Sequence, residues 1–166
     1  MLNPPFRPAL GHNDLIKDAL ERVRELMPWD VRDRLERQAA VILLDVREPA
    51  EFAAVHMPGA ISVPRGVLEQ ACDWDYADTV PALAAGRERE IVVICRSGNR
   101  SVFAADVMQR MGFTQVFSLK TGVRGWNDFD QPLVNEAGDT VDADTAERLL
   151  ASATLRPEQR RPAAKA

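Results

Sequence analysis

The first clear pattern of apolar and polar positions is a helical one, over residues 13–27. Its apolar positions lie at helical spacing and form one stripe: Leu15, Ile16, Ala19, Leu20, Val23, Leu26 and Met27. Asn13 or Asp14 would cap the start of this amphipathic helix, and Pro28 would stop it. We expect the stripe to pack on the rest of the protein, with dimerisation as the alternative. A second helix is predicted to start near Asp30.

Three solid apolar runs follow, and each predicts a buried strand: "VILLD" (41–45), "IVVIC" (91–95) and "QVFSL" (115–119). Strands as apolar as these belong to parallel sheets that are covered on both faces. Other segments predict helices over 48–55, 79–86 and 101–112, a short strand over 61–63, and a partly helical excursion over 65–78. Gly112 is a predicted C-terminal cap. This alternation predicts an α/β fold with a central parallel sheet and helices on both faces.

Composition adds limits to this picture. The 166 residues are 46% apolar, which suits one domain with extensions. We expect an N-terminal arm and amphipathic helix over residues 1–29, the domain over 30–134, and a C-terminal extension over 135–166 with a disordered tail. The net charge is −4 and both signs are mixed along the chain, which argues against nucleic-acid and membrane-surface binding.

Cysteine use and the lack of targeting patterns predict a cytoplasmic protein. Cys72 and Cys95 are the only two cysteines, so no disulfide framework is expected. The first residues hold no apolar stretch long enough for a signal peptide. No run reaches the roughly 18 apolar residues that a membrane span needs.

Cys95 stands where the chemistry of a parallel sheet is expected, at the carboxyl end of a buried strand. Asp45 follows another buried strand, so we expect the two residues to share one edge. After Cys95 the turn "RSGNR" leads into a helix about six residues later, and its N–H groups form an anion-binding concavity. The helix dipole and the charges of Arg96 and Arg100 add to this, and Gly98 permits positive φ. Such surroundings lower a cysteine pKa from about 8.5 toward roughly 3.5–7.5, which predicts a nucleophilic thiolate.

Two further roles are open to Cys95, a buried small side chain and a metal ligand. No second cysteine or histidine lies at ligand spacing, which disfavours a metal. A thiolate held in such a concavity attacks phosphorus or sulfur. Tyrosine and dual-specificity phosphatases share a C-x5-R loop, whereas Cys95 and Arg100 form the shorter C-x4-R. The shorter loop draws its N–H groups into a tighter ring, which favours one sulfur atom over a tetrahedral phosphoryl group.

Four motifs taken in order resemble the rhodanese domain, in the manner of single-domain sulfurtransferases, over roughly residues 30–134. The motifs are "LLDVREPAEF", "HMPGAISVP", "ICRSGNRS" and "LKTGVRGW". The resemblance implies a double displacement in which Cys95 takes the sulfane sulfur of thiosulfate or a related persulfide donor and releases sulfite. The Cys95 persulfide then passes its outer sulfur to cyanide or a thiol, which includes the thiol of a protein. No metal or organic cofactor is implied.

The same resemblance implies roles within the loop. Backbone amides would cradle the persulfide, from the residues Arg96, Ser97, Gly98, Asn99, Arg100 and Ser101. Arg100 would steady the departing sulfite, and Arg96 would recruit the anionic donor. Two positions depart from the family pattern, because Val55 and Thr121 stand where the family usually has glycine. The turn at Val55 must therefore avoid positive φ.

The remaining candidates are expected to be structural. Asp45 and Arg47 would hydrogen-bond the edges of the loop, His56 would stay in its turn, and Trp126 would anchor the core under the loop. Cys72 is expected to be a passive thiol, with the alternative that it resolves the Cys95 persulfide as a disulfide. The excursion that carries Trp74 and Tyr76 is a candidate for shaping access to Cys95. A protein-to-protein sulfur relay and a non-catalytic regulatory module remain alternatives to the enzyme.

Overall fold

The computed structural model describes residues 9–37 and 40–162, and a five-stranded parallel sheet forms its centre. The strand order is β1-β5-β4-β2-β3, with β1 Arg24–Leu26, β2 Ile42–Asp45, β3 Ile61–Ser62, β4 Glu90–Ile94 and β5 Gln115–Leu119. A small antiparallel pair lies apart from it, formed by β6 Leu133–Val134 and β7 Thr140–Val141. The predicted α/β class with a central parallel sheet is confirmed.

Helices cover both faces of this sheet. They are α1 His12–Leu20, α2 Pro28–Glu36, α3 Pro49–Ala54, α4 Leu68–Ala71, α5 Pro81–Ala84, α6 Asn99–Arg110, α7 Gly122–Asp128 and α8 Ala143–Leu150, with 3-10 turns at Arg65–Val67 and Pro157–Gln159. Successive side chains of a strand point to opposite faces. In β4, Ile91 and Val93 enter a first core under α1, α4, α5 and α6, while Val92 and Ile94 enter a second core under α2, α7 and α8.

The helix predicted over residues 13–27 is wrong in its second half. It ends at Leu20, and Arg24–Leu26 instead forms the edge strand β1, paired in parallel with β5. The backbone of β5 supplies the hydrogen-bond partners of this strand. The spacing of apolar residues along 13–27 reports only which residues share a face, so it could not reveal that β5 is available for pairing. The next helix begins at Pro28, because proline suits the first turn of a helix. The predicted boundary at residue 30 stays a prediction, and the residues before it supply one strand of the sheet.

Other predicted segments differ by a few residues. The strands of the three apolar runs are present, and α6 begins at Asn99 and ends at Arg110, followed by Gly112 at φ 93°. In the C-terminal extension, Ala146 and Leu150 of α8 are buried in the second core. The predicted disorder of the tail stays a prediction, because residues 163–166 lie outside the described part.

Candidate active site

Two neighbouring strands bring Asp45 and Cys95 to the same edge of the sheet. Asp45 ends β2 and pairs in register with Ile94 of β4, and Cys95 follows directly. The chain then turns through Gly98, whose φ of 98° is a left-handed conformation that favours glycine. Helix α6 starts at Asn99, four positions after the cysteine and two earlier than predicted. The turn between strand and helix is therefore tighter than the sequence suggested.

The Cys95 sulfur is surrounded by hydrogen-bonding groups although the residue is only 1% exposed. The Gly98 N–H donates to Sγ at 3.1 Å, and the Ser101 hydroxyl oxygen lies 3.4 Å from Sγ. Ser101 is in turn 2.8 Å from the hydroxyl of Ser118 on β5, and both serines are fully buried. Sequence reasoning missed Ser118, and the available signal was a lone serine inside the apolar run "QVFSL". The arrangement places the Ser101 hydroxyl where it can donate to a sulfur anion, with the Ser118 hydroxyl as its hydrogen-bond partner.

The first residues of helix α7 hydrogen-bond to the backbone of the active loop at Cys95 and Arg96. The N–H groups of Val123 and Arg124 donate to the carbonyls of Cys95 and Arg96, at 2.9 and 3.1 Å. Gly122 has φ 60°, and a Cβ there would lie 2.4 Å from the Cys95 carbonyl oxygen. Glycine is therefore required at 122, for space as well as for conformation.

The two positions that depart from the family pattern have different backbones. Thr121 adopts a left-handed conformation at φ 68°, which is uncommon for a β-branched residue. Val55 has φ −162°, an extended conformation that any residue adopts. The expectation that the turn avoids positive φ at Val55 agrees with this geometry.

The two arginines of the loop point to different partners. Arg100 makes a two-pronged ion pair with Glu51 of α3, with nitrogen-to-oxygen distances of 2.7 and 2.8 Å. The hydrogen bond from Arg100 is the main cause that lowers the pKa of Glu51 to about 2, and the same bond raises the pKa of Arg100. Sequence reasoning missed Glu51, which lies 49 positions away. The positive charge of Arg100 is thus compensated by a carboxylate.

Arg96 turns toward the C-terminal extension instead. Its Nη1 donates to the Leu150 carbonyl at 3.2 Å and to the Ser152 hydroxyl at 3.0 Å. Both acceptors are neutral, so the charge of Arg96 is held in place without being neutralised.

Comparison with known proteins assigns this loop and sheet to a family. The family model for the rhodanese-like domain matches residues 27–129. The chain belongs to the rhodanese-like domain family. All four motifs that carried the resemblance lie inside the matched residues.

Relatives and solved structures agree with this assignment. A sulfurtransferase of Allochromatium vinosum is 28% identical over 116 residues, which cover 70% of this chain and 99% of that protein. A candidate sulfur carrier protein of Bacillus subtilis is 30% identical over 95 residues, 57% of this chain, and the chain spans only 46% of that relative. A Rhodopseudomonas palustris protein of unknown function, described as a possible tyrosine phosphatase, superposes with a TM-score of 0.69 at 26% identity, covering 78% of this chain and 98% of its own.

In this rhodanese-like domain, Asp45 and Arg47 form a buried ion pair beside the loop. Both side chains are 1% exposed, and Arg47 Nη2 lies 2.7 Å from Asp45 Oδ2. The same Arg47 nitrogen donates to the Val55 carbonyl at 2.7 Å. Nε and Nη2 of Arg47 both bind the Asp45 carboxylate, and Nη2 also binds the Val55 carbonyl, so the pair ties the end of β2 to the turn after α3.

Trp126 belongs to the second core, and His56 lies next to it in the chain between Val55 and Met57 of that core. Trp126 is 3% exposed and its Nε1 donates to the Pro132 carbonyl at 3.0 Å. Its side chain packs with Ile94 in the second core, whereas Cys95 belongs to the first core, so Trp126 anchors the opposite face of the sheet. His56 stacks on Phe52 with ring centroids 3.8 Å apart, and its backbone pairs with Val134.

Cys72 and Tyr76 of the excursion lie away from the end of β4 that carries Cys95. The Cys72 carbonyl accepts from Arg87, which precedes β4, and Tyr76 shares a cavity with Met111, which follows α6. Cys95 stands where β4 ends and α6 is about to begin, so Cys72 and Tyr76 lie toward the opposite ends of these elements. The start of the excursion is nearer, because the Arg65 N–H donates to the Val46 carbonyl at 3.1 Å and Val46 bonds to Ile94. The predicted influence of the excursion on access to Cys95 stays a prediction. Burial raises the pKa of Cys72 to about 11.

The described residues hold neither a cluster of metal ligands nor a membrane-spanning helix. Within residues 9–37 and 40–162, no group of three or more His, Cys, Asp and Glu side chains is placed to hold a metal ion. No helix in those ranges is both long and apolar enough to cross a membrane.

Proposed function

We propose that this rhodanese-like chain transfers sulfane sulfur through a persulfide on Cys95. The observation that carries the proposal is the pair of groups at the Cys95 sulfur, the Gly98 N–H at 3.1 Å and the Ser101 hydroxyl at 3.4 Å. Donors aimed at one buried sulfur stabilise it as an anion. The loop is short, and we expect its other amides between residues 96 and 101 to join the Gly98 N–H around one position, which suits a terminal sulfur atom.

The proposed reaction has two steps that balance. The Cys95 thiolate attacks the outer sulfur of thiosulfate, the sulfur–sulfur bond of the donor breaks, and sulfite leaves with the electron pair. In the second step an acceptor, cyanide or a thiolate, attacks the outer sulfur of the Cys95 persulfide. That sulfur–sulfur bond then breaks, thiocyanate or a new persulfide leaves, and the Cys95 thiolate is restored. Neither step needs a metal or an organic cofactor.

The proposal also includes an anionic sulfur donor and a location in the cytoplasm. Arg96 supports an anionic donor, because its positive charge is held by neutral acceptors. The acceptor is a small thiol or a thiol-bearing protein. Both cysteines are free thiols, which fits the proposed location in the reducing cytoplasm.

The test is turnover of thiosulfate and cyanide by the purified protein, read as thiocyanate. We expect Cys95→Ala to abolish turnover, because the nucleophile is lost, and Cys72→Ala to retain it as the matched control. Equal turnover by Cys95→Ala would contradict the proposal. An aryl phosphate assay run beside it separates a phosphatase, and phosphate release that depends on Cys95 would favour that activity instead.

A protein-to-protein sulfur relay is the second candidate, favoured by the similarity to a candidate sulfur carrier of Bacillus subtilis. Intact-mass spectrometry of the protein after incubation with each donor distinguishes the two. A gain of one sulfur atom from thiosulfate supports the enzyme. A gain from a persulfidated protein, with none from thiosulfate, supports the relay. The Cys95→Ala protein should gain no sulfur from either donor.

A further inference from the structure

The C-terminal extension reaches the active loop although it lies outside the residues that match the family. The match ends at residue 129, whereas the two acceptors of Arg96 Nη1 belong to residues 150 and 152. Leu150 ends α8, and Ser152 follows it by two positions. A part of the chain that is not part of the matched domain therefore holds a side chain of its loop.

The extension offers these acceptors from a fixed position. Ala146 is fully buried and Leu150 is 2% exposed, both in the second core. The Asn127 side chain of α7 donates to the Ala143 carbonyl at 3.1 Å, and Asp142 caps the start of α8 by accepting from the Thr145 N–H at 2.8 Å. The carbonyl end of a helix also favours a cation. The location of the Arg96 guanidinium is thus set by a folded helix.

One nitrogen of Arg96 makes both bonds, and this leaves the others available. A guanidinium has five N–H donors, of which Nη1 carries two. Within residues 9–37 and 40–162, Nε and Nη2 of Arg96 have no protein acceptor. Arg100 differs, because both of its terminal nitrogens bind the Glu51 carboxylate. The loop therefore presents an uncompensated positive charge, with open donors, at Arg96.

We propose that residues 150–152 position the Arg96 guanidinium so that its Nε and Nη2 bind the oxygen atoms of an anionic sulfur donor. Ser152 is then a positioning residue, which acts on the donor through Arg96. This inference rests on the proposed function for its substrate class, a small sulfur oxyanion such as thiosulfate. It keeps the recognition of the anionic donor at Arg96 and adds that this recognition depends on the C-terminal extension.

The positioning role of Ser152 can be tested by measuring thiosulfate binding in a protein that cannot turn over. In the Cys95→Ala protein, thiosulfate binding is measured by calorimetry with and without Ser152→Ala. Ser152 is exposed and acts through Arg96, so we assign the loss of its hydrogen bond the typical net value of one hydrogen bond, which predicts a Kd for thiosulfate raised about fivefold. Ser152→Thr keeps the hydroxyl and should restore the original Kd. The control is Thr154→Ala at an exposed position nearby, because the Arg96 side chain bonds to Leu150 and Ser152 and to no other part of residues 9–37 and 40–162; its Kd should be unchanged.

Two further measurements separate positioning from a structural effect. With Cys95 intact, Ser152→Ala should raise KM for thiosulfate about fivefold and leave kcat unchanged, since the anion is bound more weakly and the nucleophile is untouched. In the Arg96→Gln background, Ser152→Ala should have no further effect on the Kd, because Ser152 acts only through that guanidinium.

An unchanged or lowered Kd in Ser152→Ala would overturn the inference, and a lowered one would indicate that the extension competes with the donor for Arg96. Binding is measured in the absence of the nucleophile, so a failure of sulfur transfer would leave this result readable. If the protein transfers sulfur and Ser152→Ala leaves the KM for thiosulfate unchanged, the positioning role is wrong and the proposed function stands.

Discussion

Cys95 and Cys72 both lie in the first core, but different groups surround their sulfur atoms. Cys95 stands at the carboxyl edge of the sheet, where the Gly98 N–H and the Ser101 hydroxyl approach its sulfur. Within residues 9–37 and 40–162, the sulfur of Cys72 receives no hydrogen bond, and burial raises its pKa to about 11. Burial disfavours the thiolate form of Cys72, whereas the turn after β4 supplies hydrogen-bonding groups to the sulfur of Cys95.

The sharpest way to test this comparison is alkylation by iodoacetamide at pH 8. With a pKa of about 11, only about one Cys72 thiol in a thousand is ionised at that pH. We expect Cys95 to be labelled first, and Cys72 at least about a hundredfold more slowly. Peptide mapping by mass spectrometry measures both rates, and labelling of Cys72 before Cys95 would break the comparison. After pretreatment with thiosulfate, the label on Cys95 should sit on the outer sulfur of the persulfide, seen as the mass of one extra sulfur atom in the Cys95 peptide, and the Cys72 peptide should be unchanged.

A substitution at Gly122, which packs against the active loop, should displace the backbone around Cys95 and leave the surroundings of Cys72 unchanged. In Gly122→Ala the new Cβ would lie 2.4 Å from the Cys95 carbonyl oxygen, at a positive φ of 60°. We expect a loss of about 2–4 kcal/mol in the free energy of unfolding, together with most of the turnover. Gly138→Ala is the matched control, since Gly138 has φ 84° and no neighbour within 4 Å of a new Cβ. It should lose about 1 kcal/mol and keep its turnover; equal losses in both variants would be a contrary result.

A smaller effect is expected from the hydroxyl pair behind the sulfur. Ser118→Ala removes the partner that lies 2.8 Å from the Ser101 hydroxyl. The buried Ser101 then loses one hydrogen bond, which costs about 1 kcal/mol of stability and leaves its hydroxyl less well oriented toward Cys95. Turnover should fall about fivefold while iodoacetamide labelling of Cys72 stays the same. Stability from urea unfolding and turnover from thiocyanate release check the two parts, and unchanged turnover would show that the pair is only structural.

The smallest effect concerns the ion pair of Arg100. The pKa of Glu51 is lowered to about 2 in the folded protein, so its unfolded value is the higher one. A lowered folded pKa stabilises the fold above the unfolded value and loses that contribution as the pH falls toward about 2. Both side chains are about one third exposed, so solvent screening limits the pair to about 1 kcal/mol.

The measurement is the free energy of urea unfolding of the native protein and of Glu51→Gln between pH 2 and pH 7. The two curves should differ by a constant amount above about pH 5 and converge as the pH approaches about 2. A difference that grows as the pH falls would contradict the assigned direction. Turnover of Glu51→Gln at neutral pH also reports whether releasing Arg100 changes donor recognition.

Much of the fold was predictable because strong apolar runs leave few alternatives. The runs at 41–45, 91–95 and 115–119 are too short and too apolar for anything but buried strands, and all three appear in the central sheet. The strand at Arg24–Leu26 was not predictable, because its sequence "REL" follows a helical spacing. It is a strand only because the edge of β5 is free to pair with it.

By itself the sequence determined the sheet class, the place of Cys95 at the end of a strand, and the turn that follows it. These depend on neighbours in the chain, where apolar spacing and glycine positions act directly. The partners of that turn were decided by the tertiary structure: Glu51 for Arg100, residues 150–152 for Arg96, and Ser118 for Ser101. These pairs are separated by 17 to 56 positions, and side chains so far apart meet only where the packing of α3, α8 and β5 brings them together.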